Sequence, residues 1–323
     1  MRRFVSDLGE KEAVAQVFRI GAKQLRPNRN GQLYLQFELS DRSGSVGARM
    51  WNASESLYRS FENGDYVYVE GTTQLFQGAL QLIATRLQRI EPSEVNEDDF
   101  TPLRAVDVDR LALRLAELLR SVTTPALRNL AECFLMDDAF LRKFTRAPAG
   151  IKHHHAYLGG LLEHTVNLME VVQRIAPCYP QLDRDLLLVG AFLHDVGKVD
   201  ELAYDRELAY TNEGQLVGHL VLAVGLLEAK AREAEKLSGE PFPAETLLSL
   251  KHMIVSHHGE YEYGSPKLPM TLEAVALYCL DNLDAKIAAF LQLMRDDPNI
   301  NSDWTNFHPN LGRKLYKKAL RQD

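Results

Sequence analysis

Ten histidines occur in this chain of 323 residues, and several of them fall beside carboxylates in an order that can do chemistry. His164 is followed by His194-Asp195, with Gly197-Lys198 just beyond, then His219, His257-His258 and Asp281. Each sits on or next to an apolar stretch of helical periodicity, where an ionisable group is costly unless a cation or a hydrogen bond compensates it. His164 lies one turn from Leu161 and Leu168 and so shares their apolar face. A lone histidine there would read as a satisfied core residue. His194-Asp195 changes the balance, because the pair follows the run Leu186 to Leu193, and an ionised carboxylate at the centre of a bundle calls for a cation. The order of the remaining residues fits a binuclear site. Neighbouring helical residues diverge by about 100 degrees, so His257 is preferred as a ligand and His258 is given a substrate or outer role. The three cysteines, Cys133, Cys178 and Cys279, have no paired spacing, which leaves nitrogen and oxygen as donors. Such donors suit manganese, iron, cobalt or zinc.

The elements that must carry these groups are helical. Periodic apolar stretches run over Val108 to Ser121, Thr124 to Phe134, Asp138 to Phe144, Leu158 to Ile175, Arg184 to His194, Gly218 to Leu237, Ala244 to Ser256 and Thr271 to Met294. Before them, residues 12–90 read as about five short strands with one helical piece, Ser54 to Phe61, after the third. Leu33, Leu35, Phe37 and Leu39 alternate with Gln32, Tyr34, Gln36 and Glu38 as in a half-buried strand. Asp41-Arg42-Ser43-Gly44 and Gln77-Gly78 mark turns. This pattern fits a small Greek-key barrel of the oligonucleotide/oligosaccharide-binding (OB) type, with an SH3-like barrel as competitor. Residues 91–102 hold five acids and two prolines without periodicity and read as an acidic linker. The expected architecture is therefore multidomain: an all-β barrel over 1–90, the linker, and an all-α domain over 103–323.

Composition is that of a soluble globular protein, with 46% hydrophobic and 25% charged residues. The amino terminus lacks an export signal core, and the purest apolar run is far shorter than a membrane span needs, so the expected location is the cytoplasm with no membrane partner. The net charge of −7 divides unevenly: residues 1–90 carry 12 Lys/Arg against 9 Asp/Glu, giving +3 and leaving −10 for the rest. On the outer face of the barrel, Tyr34, Trp51, Tyr66 or Tyr68 and Phe76 are candidates for stacking on bases, with Lys23, Arg26, Arg29, Arg42 and Arg49 meeting phosphates. The carboxy-terminal Arg313, Lys314, Lys317, Lys318 and Arg321 recur at helical spacing.

His164, His194-Asp195 and Asp281 resemble, in order and spacing, the H…HD…D signature of the HD-domain phosphohydrolases. Longer segments carry the likeness further. Lys152 to Thr165, Ser256 to Glu260 with Tyr263-Gly264-Ser265-Pro266, and Glu273-Ala274 through Asp281-Asn282-Leu283-Asp284-Ala285-Lys286 are similar to the YhaM-type 3′-to-5′ exoribonucleases, which join an OB domain to an HD domain. The resemblance implies metal-dependent trimming of single-stranded RNA, with single-stranded DNA as a further substrate, to nucleoside monophosphates. It implies His164, His194, Asp195 and Asp281 as ligands, and His219 and His257 resemble the extra histidines of binuclear HD enzymes. Two divalent ions are expected, manganese foremost, with Asp195 bridging them to activate water and Lys198 holding a non-bridging phosphate oxygen. His154, His155 and Tyr157, just before the first ligand helix, are expected to line the substrate cleft, and His258, Tyr34, Trp51 and Arg49 to touch substrate. Association of several copies is a further expectation. The competing readings are an HD phosphohydrolase acting on nucleotides or cyclic dinucleotides, di-iron oxygen chemistry, and a non-catalytic nucleic-acid-binding module.

Overall fold

The computed structural model describes residues 2–76, 79–101, 103, 105–151, 155–204, 208–295, 297, 299 and 302–317. His154, the Gln77-Gly78 turn, Lys318 and Arg321 lie outside the described residues. By internal contacts the chain forms two compact units, Met1–Pro102 together with Phe290–Asp323, and Leu103–Ala289.

In the first unit, strands β1 (Ala13–Pro27), β2 (Leu33–Asp41), β3 (Gly44–Trp51), β4 (Tyr66–Phe76) and β5 (Ala79–Ile90) close into a barrel of order β1-β2-β3-β5-β4. β3 and β5 pair in parallel, and the other neighbours pair antiparallel. This is the five-stranded Greek-key closure of the OB type. The alternation seen in β2 sets the two faces: Leu35, Phe37 and Leu39 are buried in the barrel core with Phe18, Ile20, Val67 and Val69. A short helix, α1 (Glu55–Tyr58), follows β3, capped by the Ser54 hydroxyl accepting from Leu57 N.

The acidic linker is not a free tether. Phe100 is buried and packs on the Tyr66 ring at 4.6 Å between centroids, with the Arg2 guanidinium 4.4 Å from the Phe100 centroid. Arg42 N donates to Asp99 O at 2.9 Å. Phe100 thus occupies one side of the half-buried Tyr66 ring. Beyond Arg295 the expected helical spacing of the basic tail gives way to antiparallel bridges, Trp304 with Tyr316 and His308 with Arg313. Lys317 is buried there and donates to the Asp297 carboxylate and to Asn299 O, which removes it from any solvated basic stripe.

The second unit is built from α2 (Ala105–Arg120), α3 (Pro125–Leu135), α4 (Asp138–Phe144), α5 (Gly160–Ile175), α6 (Arg184–Leu193), α7 (Lys198–Glu201), α8 (Asn212–Leu216), α9 (His219–Ser238), α10 (Ala244–Ser256) and most of α11 (Leu272–Arg295), whose residues from Phe290 on group with the first unit. It is not wholly helical, since Leu202–Ala203 (β6) and Ala209–Tyr210 (β7) form a two-stranded ribbon. α6 is the central helix: eight of its ten residues are buried, from Asp185 and Leu187 to Leu193. Its apolar run packs against α5, α3 and α10, with Phe192 meeting Phe134 edge to face at 5.2 Å. The core continues through Leu161, Leu162, Leu168, Met253, Ile254 and Leu277. No helix among the described residues is long and apolar enough to cross a membrane.

Candidate metal centre

α6 ends at Leu193, so His194 and Asp195 leave its last turn at the bottom of the core, both buried. Gly197 lets the following turn lie against the start of α9, because a Cβ there would stand 2.1 Å from His219 O. His164 arrives from α5, Asp281 from α11, and His257 and His258 from the end of α10. α10 stops at Ser256, with His257 as its C-cap still in helical conformation, so the chain leaves the helix right at the two adjacent histidines. Both group with His219, their ligand atoms within 4.8 Å of one another. His258 therefore adjoins the same cluster as His257, the residue preferred as a ligand.

Asp195 sits between two sets of imidazoles. Its Oδ2 is 3.4 Å from His194 Nε2 and 3.9 Å from His164 Nε2. Its Oδ1 is 3.6 Å from His219 Nε2 and 3.6 Å from His257 Nε2. Asp281 Oδ1 completes the first set, 3.2 Å from His164 Nε2 and 3.8 Å from His194 Nε2. Every ring is turned the same way. His194 Nδ1 donates to Ala191 O at 2.8 Å, His257 Nδ1 to Ile254 O at 2.8 Å and His258 Nδ1 to Tyr263 O at 3.0 Å. His164 Nδ1 meets Asp284 Oδ2 at 2.7 Å, and His219 Nδ1 meets Glu201 Oε1 at 3.0 Å. Because all five partners accept, each Nδ1 donates outward and each Nε2 is turned inward, the orientation that metal-binding imidazoles adopt.

A metal fits this donor set on two observations. Asp195 Oδ1 and His219 Nε2 are buried with no hydrogen-bond partner among the described residues, a cost that a cation removes. His164 Nε2 and His194 Nε2 face each other at 3.2 Å, an opposition of lone pairs that only a proton or a metal relieves. Burial works against a charge on His164, but hydrogen bonds to Asp281 and Asp284 prevail and raise its pKa to about 10. The same negative oxygens that favour a proton favour a divalent ion. Burial also holds His257 well below the usual imidazole range and lowers His258, so both are neutral and ready to ligate at physiological pH. For Asp195, burial opposes ionisation, yet Lys198 and His194 keep its carboxyl well below the usual range.

Lys198 Nζ donates to Asp195 Oδ2 and to Ala149 O, each at 2.7 Å. Its first task is therefore to hold the Asp195 carboxylate, while its ammonium keeps one further N–H. The site opens into a cavity of about 670 Å3 lined by Asp195, Lys198, His219, His257, His258 and Asp281 along with Tyr210, Tyr263, Tyr278 and Asn282. That size is ordinary for a site that takes a small polar ligand. His155 and Tyr157 do not line it. They lie behind His164, where His155 Nε2 is 3.1 Å from Asp284 Oδ2. Glu201 and Asp284 were not foreseen. Asp284 had a readable signal, being one turn from Asp281 on the same helix, whereas Glu201 sits after a break that hides its direction.

On the barrel, Tyr34 and Trp51 are cross-strand partners with ring centroids 5.2 Å apart, and Trp51 is 46% exposed. Arg49, one alternate position along on the same face, stands 5.3 Å from the Phe76 ring centroid. The three expected nucleic-acid contacts thus share one outer face.

Residues 161–286 match the HD domain family, and residues 14–90 match the family described as OB-fold nucleic acid binding domain. The chain is 35% identical over 280 residues to the 3′-5′ exoribonuclease YhaM of Bacillus velezensis, covering 85% of this chain and 86% of that protein. It is 34% identical over 259 residues to the 3′-5′ exoribonuclease YhaM of Bacillus subtilis, covering 80% of each. Among solved structures, the second OB-fold domain of replication protein A from Methanococcus maripaludis matches at 22% identity and a TM-score of 0.22, covering 28% of this chain and 96% of that one. With the OB barrel, the HD residues and relatives of this extent, the chain belongs to the YhaM 3′-5′ exoribonuclease family.

Proposed function

We propose that this chain is a metal-dependent 3′-to-5′ exoribonuclease that shortens single-stranded RNA to nucleoside monophosphates, acting in the cytoplasm. The observation that carries the reading is Asp195, whose two oxygens face separate histidine sets at the floor of the cavity. His164, His194, Asp195 and Asp281 would hold one divalent ion, and Asp195, His219, His257 and His258 a second, with manganese foremost and iron, cobalt or zinc chemically admissible. When bound, such a pair lowers the pKa of water and neutralises charge on a phosphodiester.

The protein's own groups supply the rest. Lys198 fixes Asp195 and can give its remaining N–H to a non-bridging phosphate oxygen, where negative charge builds as the 3′ oxygen departs. Tyr210 and Tyr263, exposed aromatics on the cavity lining, offer ring faces to the last base of any sequence. Occupied by one terminal nucleotide, the cavity would release monophosphates from a strand end. Tyr34, Trp51 and Arg49 of the barrel supply stacking and a phosphate contact for the body of the strand.

The test is incubation of purified protein and manganese with 5′-labelled single-stranded RNA, duplex RNA and single-stranded DNA. A ladder descending one nucleotide at a time on the single-stranded RNA, absent for Asp195→Ala, is expected. Equal shortening by Asp195→Ala, or activity confined to mononucleotides and cyclic dinucleotides, would contradict the reading.

A further inference from the structure

Behind His164, away from the cavity, two imidazoles, His164 and His155, converge on the Asp284 carboxylate, and Tyr157 and Glu163 brace the second of them. Asp284 Oδ2 is 2.7 Å from His164 Nδ1 and 3.1 Å from His155 Nε2. His155 Nδ1 is 2.9 Å from Tyr157 Oη and 3.3 Å from Glu163 Oε2, and the Tyr157 hydroxyl donates to Glu163 Oε2. The His155 side chain is only 9% exposed, and its backbone sits at φ 57, a conformation that costs a non-glycine residue energy and persists only where its surroundings demand it. A histidine meant to meet substrate would not be enclosed in this way.

His194, His257 and His258 are steered by backbone carbonyls, whereas His164 and His219 are steered by carboxylates, Asp284 and Glu201. These two lie on opposite sides of the Asp195 carboxylate, His164 toward Oδ2 and His219 toward Oδ1. Each half of the centre thus has one ring whose direction and basicity depend on a replaceable side chain.

We propose that Asp284 and His155 are positioning residues: Asp284 fixes the tautomer and tilt of His164, and His155, braced by Glu163 and Tyr157, fixes Asp284. The inference rests on His164 as a metal ligand. It assigns His155 and Tyr157 to the support of the metal centre instead of to substrate contact. Outer partners of this kind typically change metal affinity by about 10–100-fold when removed.

The experiment uses the full chain and reads manganese binding directly, by calorimetric titration of protein stripped of metal, for Asp284→Ala, Asp284→Asn and His155→Gln, with thermal unfolding as the check on folding. Asp284→Ala is expected to weaken one ion about 10–100-fold and leave the other near wild type. Asp284→Asn keeps an oxygen acceptor for both rings and should recover part of that loss. His155→Gln should weaken the same ion by a smaller factor, and at saturating manganese its KM for single-stranded RNA should match wild type. If Asp284→Ala does not fold, the other two variants decide the matter. Wild-type manganese affinity in Asp284→Asn and His155→Gln, or a raised KM with unchanged metal affinity in His155→Gln, would overturn the proposal. Because the titration needs no RNA, absence of nuclease activity would strike the proposed reaction and leave this result intact.

Discussion

Gly259 and Tyr278 are in direct contact: a Cβ on Gly259 would fall 2.0 Å from the Tyr278 ring. Gly259 also has φ +79, so it both turns the chain out of α10 and lets the turn bearing His257 and His258 press on α11, the helix that carries Asp281. The turn after α10 and helix α11 thus meet through the Tyr278 ring alone, with no side chain on the Gly259 side.

Gly259→Ala should therefore destabilise the protein by about 1–3 kcal/mol from backbone strain alone, with overpacking against Tyr278 added. Chemical denaturation of Gly259→Ala, Tyr278→Ala and the double variant reads this out. The double variant is expected to lose less stability than the sum of the single changes, because the clash disappears with the ring. Strict additivity would show that the two residues do not meet.

A second consequence concerns pH. Asp185, buried near the start of α6, accepts from Thr123 N and Thr123 Oγ1 at 2.8 Å, Thr124 N at 2.9 Å and Thr124 Oγ1 at 3.1 Å. Burial alone would raise its pKa, but the bonds from Thr124 and Thr123 outweigh it and hold the carboxyl below its ordinary value. A depressed folded-state pKa gives stability that is complete above the unfolded value of about 3.9 and fades as pH falls through the folded value. Asp185→Asn is expected to cost about 1.5–3 kcal/mol at neutral pH, and the gap from wild type should shrink below about pH 4. Denaturation curves of both proteins across that range check it, and a gap that stays constant into acid would contradict the role given to the ionised form.

Much of this was legible in advance because the decisive groups violate local expectation. An acid after the run Leu186 to Leu193 has no reason to be there unless something cationic joins it, and the structure brings His164, His194, His219, His257 and Asp281 around that acid. Alternation in β2 and helical periodicity gave the two architectures for the same reason: burial imposes a period. Asp284 was missed in its role because an acid on an amphipathic helix ordinarily faces solvent, and Glu201 because a short break precedes it. The folding of the linker was missed because one aromatic in an acidic run, Phe100, decides it. The ribbon of β6 and β7 has two residues per strand, too few to show a period. His257 and His258 illustrate the limit best, since whether both face inward depends on the residue at which α10 stops.

The barrel face yields a third prediction. Trp51→Ala should weaken binding of single-stranded RNA by about 1–3 kcal/mol through lost stacking, and Arg49→Ala should lower the slope of log affinity against log salt by about 1. Fluorescence anisotropy over a salt series, with Asp195→Ala as the background to prevent cleavage, reads both. Unchanged affinity in Trp51→Ala and an unchanged slope in Arg49→Ala would place the strand on another surface.

The central claim is that Asp195 joins two divalent ions, one at each carboxylate oxygen, and anomalous diffraction from crystals grown with manganese tests it most directly. Two peaks are expected, one among His164, His194 and Asp281 beside Oδ2, the other among His219, His257 and His258 beside Oδ1. A single peak, or metal bound away from Asp195, would contradict the account.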